Sequence, residues 1–237
     1  MRQSASGRGP LRLPVDDPLL GNQQAALARL LYAVRQPGGL AVLCGPGGSG
    51  VTTVLERLAA DLETADRRVI RLGGNNVGVM DHCLAPAAAG PAADTNQLPV
   101  VLVDDGHLAA DGELTRYLRQ LAPALPAATV VLAGRGRLLT LLAREQQLSE
   151  WVRLRAVLRP WRARETAAVV ASHLAAAGVA GYDPAVPEII HEIAAGIPGA
   201  VFRQLETVLL VAATQPDHRL TRADVEQMHE RLSLNAA

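Results

Sequence analysis

Residues Leu40 to Thr53 read Leu-Ala-Val-Leu-Cys-Gly-Pro-Gly-Gly-Ser-Gly-Val-Thr-Thr. An apolar run of strand length feeds a glycine-rich loop, and Thr52 opens an Ala/Leu-periodic helix that continues to about Thr64. Gly45, four residues, Gly50, one further residue and then Thr52 is the spacing of a phosphate-binding loop. In such a loop glycines let backbone N–H groups turn inward, and the helix N-terminus adds its positive end. The candidate nucleotide-binding residues are therefore Gly45, Gly47, Gly48, Ser49, Gly50, Val51, Thr52 and Thr53. One position departs from the pattern: residue 51, where a lysine belongs, is valine.

The missing ammonium normally reaches the terminal phosphates as a point charge. A hydrogen bond to a charged group is worth about 1.5–3 kcal/mol, so phosphate-dependent binding should fall by roughly 10- to 1000-fold when an ion pair is lost with it. No displaced lysine can compensate, because all 23 basic residues of the chain are arginine. A tight glycine turn between a strand and a helix, with no ligand, is the bland reading of the same residues. The strand, loop and helix context favours a nucleotide loop.

The 237 residues suffice for one α/β domain and a small appendage. Formal net charge is zero with 19% charged residues, so no overall balance points to a nucleic-acid or anionic membrane surface. Every apolar stretch is interrupted by Arg, Glu, Gln or Pro well short of a membrane span. The two cysteines, Cys44 and Cys83, do not form a disulfide framework, and a reducing cytoplasm is the expected compartment. His82 and Cys83 are adjacent but lack the further ligands a metal site needs.

Residues 1–17, rich in Gly, Pro, Ser and Arg, read as a flexible leader. Asn22 is the expected N-cap of a helix from Gln23 to about Arg35. Strands are expected at Leu40–Cys44, Arg67–Leu72, Val100–Val103, Ala128–Ala133 and Trp151–Leu158, the third running into Asp104 and Asp105. Val100 to Val103 and Ala128 to Ala133 are uninterrupted apolar runs, as in a parallel sheet covered on both faces, whereas the last strand alternates. Helices are expected around Val77–Leu84 and at Glu113–Leu121, Leu138–Gln147, Arg164–Ala177, Pro187–Ala195, Ala200–Thr214 and Thr221–Leu232. The order predicts a P-loop α/β domain over residues 18–180 and a helical lid over 181–237.

Asp104 and Asp105 close a hydrophobic strand about 50 residues after the loop. In P-loop nucleotidases the first such acid orients Mg²⁺ and the second polarises the attacking water, so both are candidate catalytic residues. Thr52 and Asp104 would hold Mg²⁺ through a bound nucleotide.

The whole pattern resembles the AAA+ ATPases of the ExeA/GspA general-secretion type, a group close to the transposition ATPases MuB and TniB. The likeness spans Pro18 to Thr214 and rests on Cys44 to Thr53, Val100 to His107, Val131 to Leu138, Leu158 to Thr166 with His173 to Gly178, and Ala195-Gly-Ile-Pro-Gly199. It implies a five-stranded parallel sheet flanked by helices with a small C-terminal helical lid, ATP and Mg²⁺ as ligands, and assembly with protein partners or further copies of the chain. By the same resemblance the Asp104 strand belongs at the sheet centre, in the neighbourhood of the phosphate-loop strand.

Departures from the resemblance fall where that family does chemistry. Val51 replaces lysine, Asp105 stands where glutamate is usual, Gly199 replaces the lid arginine, and Ala133-Gly134-Arg135 occupies the place of a polar sensor. Arg135 and Arg203 are the candidate substitutes. Two functions follow: a degenerate, nucleotide-responsive or structural subunit of a larger assembly, or a working ATPase that uses a substitute arginine.

Overall fold

The computed structural model describes residues 19–75, 99–110, 112–124, 126–179, 181–215 and 218–234. The expected leader and the expected helical turn at 77–84, with His82 and Cys83, lie outside the described residues. The chain divides into two compact units, Leu19–Arg159 and a C-terminal unit that begins at Pro160. The sequence reading placed its boundary at 180/181.

In the first unit, α1 (Gly21–Arg35) leads into β1 (Gly39–Cys44), and α2 (Val51–Thr64) into β2 (Val69–Gly73). Then come β3 (Val100–Asp104), α3 (Glu113–Ala124), β4 (Thr129–Gly134), α4 (Arg137–Ala143), α5 (Gln146–Trp151) and β5 (Val152–Val157). The strands form one five-stranded sheet in the order β2-β3-β4-β1-β5. Every pairing is parallel. Parallel neighbours need a crossover, and α3 supplies it between β3 and β4.

The continuous apolar runs occupy the middle of this sheet because both of their faces are covered. Leu40, Val42, Val101, Val103, Val130 and Leu132 point to one side, where Leu118, Leu121, Leu138, Leu142 and Leu148 of α3 to α5 pack on them. Ala41, Leu43, Leu102, Val131 and Ala133 point to the other, against Leu30 and Val34 of α1 and Val54, Leu58 and Leu62 of α2. The alternating strand β5 sits at an edge, with its outward positions left open. Alternation along the sequence is the trace of that one-sided burial.

Two expectations are corrected. Asn22 lies inside α1, whose N-cap is Leu20, and its side chain instead donates to the Arg159 carbonyl at 2.9 Å. The single helix expected over Leu138–Gln147 is two short ones, parted at Arg144 and Glu145, which lets Leu142 and Leu148 both reach the core. The Asp104 strand β3 is in the neighbourhood of the phosphate-loop strand β1, with β4 between them.

The C-terminal unit is helical: α6 (Ala163–Ala176), α7 (Val186–Ala194), α8 (Pro198–Thr214) and α9 (Arg222–Leu234). Trp161 and His173 both meet the ring of Phe202 edge-on, at centroid distances of 5.8 and 5.5 Å. Thr166 Oγ1 and His191 Nδ1 lie 2.9 Å apart and tie α6 to α7. Gly196 takes φ +66°, and its carbonyl accepts from the Trp161 backbone N–H at 2.7 Å. No helix among the described residues is long and apolar enough to cross a membrane.

Candidate nucleotide site

Parallel pairing brings the C-terminal ends of β1, β3 and β4 to one edge of the sheet. Cys44 is in register with Gly134, and the Gly45 N–H donates to the Gly134 carbonyl at 3.3 Å. The loop 45–50, the Asp104-Asp105 turn and the Gly134-Arg135 turn therefore leave the sheet on the same side. In open parallel sheets ligands bind outside this edge.

The loop has the backbone its glycines permit. Gly48 and Gly50 take φ of +81° and +88°, and Gly50 caps α2 in the left-handed conformation. A Cβ on Gly50 would lie 2.3 Å from Gln23 Nε2, and one on Gly45 would lie 2.3 Å from Ser49 Oγ. Gly45 is thus required by space, and Gly50 by space as well as by its left-handed backbone. Pro46, Gly47, Gly48 and Thr52 are exposed, Val51 and Thr53 half-buried, and Ser49 buried.

Within this turn Ser49 Oγ is buried and has no hydrogen-bond partner. An orphaned hydroxyl of this kind carries a desolvation cost that a ligand oxygen would relieve. With the N-terminus of α2 beside it and glycines that keep the cradle free of side chains, the loop fits a phosphate group. Val51 does not reach outward as a lysine would. It packs, half-buried, against the core cluster formed by α1, α2 and the sheet.

Asp104 is half-buried at the end of β3 and accepts the Asp105 N–H on Oδ1 at 2.8 Å. Asp105 is exposed, with φ +49°, a left-handed conformation uncommon outside Gly, Asn and Asp. Its Oδ1 lies 3.8 Å from Nδ1 of His107, which is buried without a hydrogen-bond partner. His107 packs against Gly134, where a Cβ would meet Nδ1 at 3.1 Å. Among the described residues no group of three His, Cys, Asp or Glu could hold a metal alone. A Mg²⁺ ion held through Thr52 and Asp104 would need phosphate oxygens to complete its shell.

Arg135, at the turn from β4 to α4, is exposed and lies beside Gly47 of the loop. Arg203 is on the exposed face of α8 in the C-terminal unit, one turn after Gly199.

Sequence reasoning missed Gln23. It is 1% exposed, and its Nε2 donates to the Ser49 carbonyl at 2.9 Å, fixing the loop to α1. Its signal was a polar residue on the same stripe as Ala26, Leu30 and Val34.

No family model and no curated protein sequence matches the chain. Solved structures do. The Thermotoga maritima RuvB Holliday junction branch migration motor matches at 18% identity with a TM-score of 0.65, over 89% of this chain and 68% of its own. The Aeropyrum pernix ORC1 protein, solved in complex with DNA, matches at 17% identity and a TM-score of 0.64, over 93% of this chain and 68% of its own. The ORC2 protein of the same organism, solved with ADPNP and ADP, gives 14% identity and a TM-score of 0.56 over 88% of this chain and 65% of its own.

The fold is that of the AAA+ P-loop ATPases. At these identities the likeness is one of architecture. The parallel sheet accounts for the common edge on which the loop and the Asp104-Asp105 turn lie.

Proposed function

We propose that the chain is an AAA+-type nucleotide-binding protein of the ExeA/GspA kind with a degenerate phosphate loop. It acts as a nucleotide-responsive or structural subunit of a larger assembly. The observation that carries this reading is the loop itself: its left-handed glycines and the buried, unpartnered Ser49 Oγ fit a phosphate group, while Val51 offers no charge. Backbone N–H groups of residues 47–52 would hold the phosphates of ATP or ADP. Asp104 and Thr52 would face the accompanying Mg²⁺, which supplies charge neutralisation when bound. Asp105 is one methylene shorter than the usual glutamate, and misplacement on the order of 1 Å costs about 100-fold in rate. Binding with slow turnover is the expected behaviour.

The alternative is a working ATPase in which an arginine replaces the lost lysine, since a guanidinium can stabilise a transferring phosphoryl group. Calorimetric titration with Mg·ATP and Mg·ADP, combined with phosphate release by wild type and Asp104→Ala, separates the two. Binding without turnover supports the subunit role. Turnover abolished by Asp104→Ala establishes the enzyme, and absence of both binding and turnover removes the nucleotide reading.

The assembly partners proposed are other protein subunits or further copies of the chain. RuvB and the DNA-bound ORC1 protein make DNA a natural addition to the same titrations. With zero net charge and no aromatic stacking set beside Arg159, Arg162 and Arg164, we expect no change on adding it.

A further inference from the structure

Val51 leaves the phosphate loop without its cation, and the register of the sheet brings another to it. Cys44 and Gly134 are paired at the ends of neighbouring parallel strands, so the residues that follow them leave the sheet side by side. The residue after Cys44 begins the loop, and the residue after Gly134 is Arg135. Its backbone is fixed there because the Arg135 carbonyl accepts the Leu138 N–H at 2.9 Å as α4 begins. The side chain then lies over the loop. A Cβ built on Gly47 would have the guanidinium carbon at 3.4 Å, Nη2 at 3.5 Å and Nε at 3.6 Å. These are ordinary van der Waals distances for the added carbon, so the guanidinium stands over Gly47 with space for about one methyl group between them.

Other arginines of the first unit are already engaged. Arg57 pairs with Asp61 at 3.4 Å, Arg71 with Glu63 at 2.6 Å, and Arg153 donates to the Pro37 carbonyl at 2.8 Å. The Arg135 side chain is exposed, and its guanidinium has no hydrogen bond or ion pair among the described residues. An unpaired guanidinium against the open side of a phosphate cradle has the chemistry to hold a phosphate oxygen pair in a bidentate fork.

We propose that Arg135 is the phosphate-binding cation of this site, reaching from the β4–α4 turn across Gly47 to take the place that Val51 vacates, with a nucleoside di- or triphosphate as the ligand class. The proposal rests on the nucleotide reading above and adds which residue supplies the charge and from where. It also gives Gly47 a purpose. No positive φ demands glycine at that position, but a side chain there would stand between the guanidinium and the loop.

The test measures dissociation constants for Mg·ATP and for inorganic pyrophosphate, which has no base or sugar. The proteins are wild type, Arg135→Ala, Arg135→Lys, Arg144→Ala and the double variant Arg135→Ala/Val51→Lys, each with its melting temperature recorded. Arg135→Ala should weaken both ligands by about 10- to 150-fold, the loss of a charged hydrogen bond. Arg135→Lys should recover part of that, and Val51→Lys should rescue the Arg135→Ala background. Arg144→Ala, an exposed arginine with the same charge change, should leave affinity within twofold of wild type (roughly 0.4 kcal/mol). Wild-type binding that survives Arg135→Ala undiminished overturns the assignment and leaves the nucleotide reading standing. An equal loss in Arg144→Ala also overturns it, by assigning the effect to overall charge. No binding by wild type at millimolar ligand overturns the nucleotide reading and Arg135 with it.

Discussion

Gln23 on α1 donates its side-chain amide to the carbonyl of Ser49, 2.9 Å away, in a position almost fully removed from water. The contact joins the first helix to the phosphate loop. It explains why a polar residue stands on the otherwise apolar stripe of α1. Gln23→Leu would fill the space but leave the Ser49 carbonyl buried without that donor, a cost of about 1–3 kcal/mol. We expect a lower melting temperature and a looser loop, seen as faster amide exchange at Gly48 to Val51. Unchanged melting and exchange would show that the hydrogen bond does not hold the loop.

Gly50 and Gly47 should answer differently to alanine. At Gly50 the new methyl would take a left-handed backbone and approach Gln23 Nε2 to 2.3 Å. The conformation alone costs about 1–2 kcal/mol, and the collision adds to it. At Gly47 the methyl meets only ordinary contacts, so Gly47→Ala should change stability by less than about 0.5 kcal/mol. Denaturant titration of the two variants checks the contrast, and equal destabilisation would refute it.

Val51→Lys places an ammonium at the helix entrance. Because Val51 is half-buried against the cluster that includes Leu55, the replacement should cost about 1 kcal/mol of packing, limited by the freedom of a lysine to extend its head into water. Affinity for Mg·ATP should rise by roughly 10- to 150-fold in the Arg135→Ala background, and by less in wild type, where Arg135 already supplies a cation. Turnover should stay low, since Asp105 and Gly199 are untouched. Calorimetry of both proteins, together with their melting temperatures, tests the pair of effects. No gain in binding with a lower melting temperature would mean that the pocket now serves packing.

Cys44 gives a chemical probe of the sheet. It ends β1, and burial pushes its thiol above the ordinary value, so little thiolate forms near neutral pH. Alkylation mapped to the Cys44 peptide should be slow in native buffer and fast in denaturant. Rapid native labelling would contradict its burial.

Asp224 predicts an acid-side effect. Burial pushes its pKa up, but hydrogen bonds from the Thr221 hydroxyl, His218 and the Thr221 N–H outweigh this and hold the carboxyl below its usual value. A depressed pKa means that the folded chain binds this proton less readily than the unfolded one. The stabilisation is present above the unfolded value, near 3.8, and is lost as pH falls through the lower folded value. Asp224→Asn should therefore flatten the fall of melting temperature below about pH 4, the range where an ordinary carboxyl titrates. Parallel acid profiles for both proteins would exclude this role.

The central strands were legible because continuous apolar runs such as Val100 to Val103 leave one physical solution, burial on both faces. The loop was legible because its glycine spacing answers a backbone requirement. The relation between Arg135 and Gly47 was not, since it arises from the register of β1 on β4, and pairing between residues so far apart leaves no mark in either segment. The division at Arg144 and Glu145 was hidden for a related reason. Its two helices share one apolar period, and only the core decides where the chain must turn.

The strand order also bears on how the chain comes off the ribosome. Among the described residues β1 pairs with β4 and β5, and its first partner, Thr129 opposite Gly39, lies 90 positions downstream. At about 5–20 residues per second of synthesis, Leu40 to Cys44 waits roughly 5–20 s as an apolar ribbon with both hydrogen-bonding edges bare. Helices α1 and α2 are already made and can shelter one side of it, but nothing yet covers the other. A nascent chain halted before β4 is thus a template for pairing with its neighbours, and a fragment ending near Pro126 should aggregate where the full chain does not.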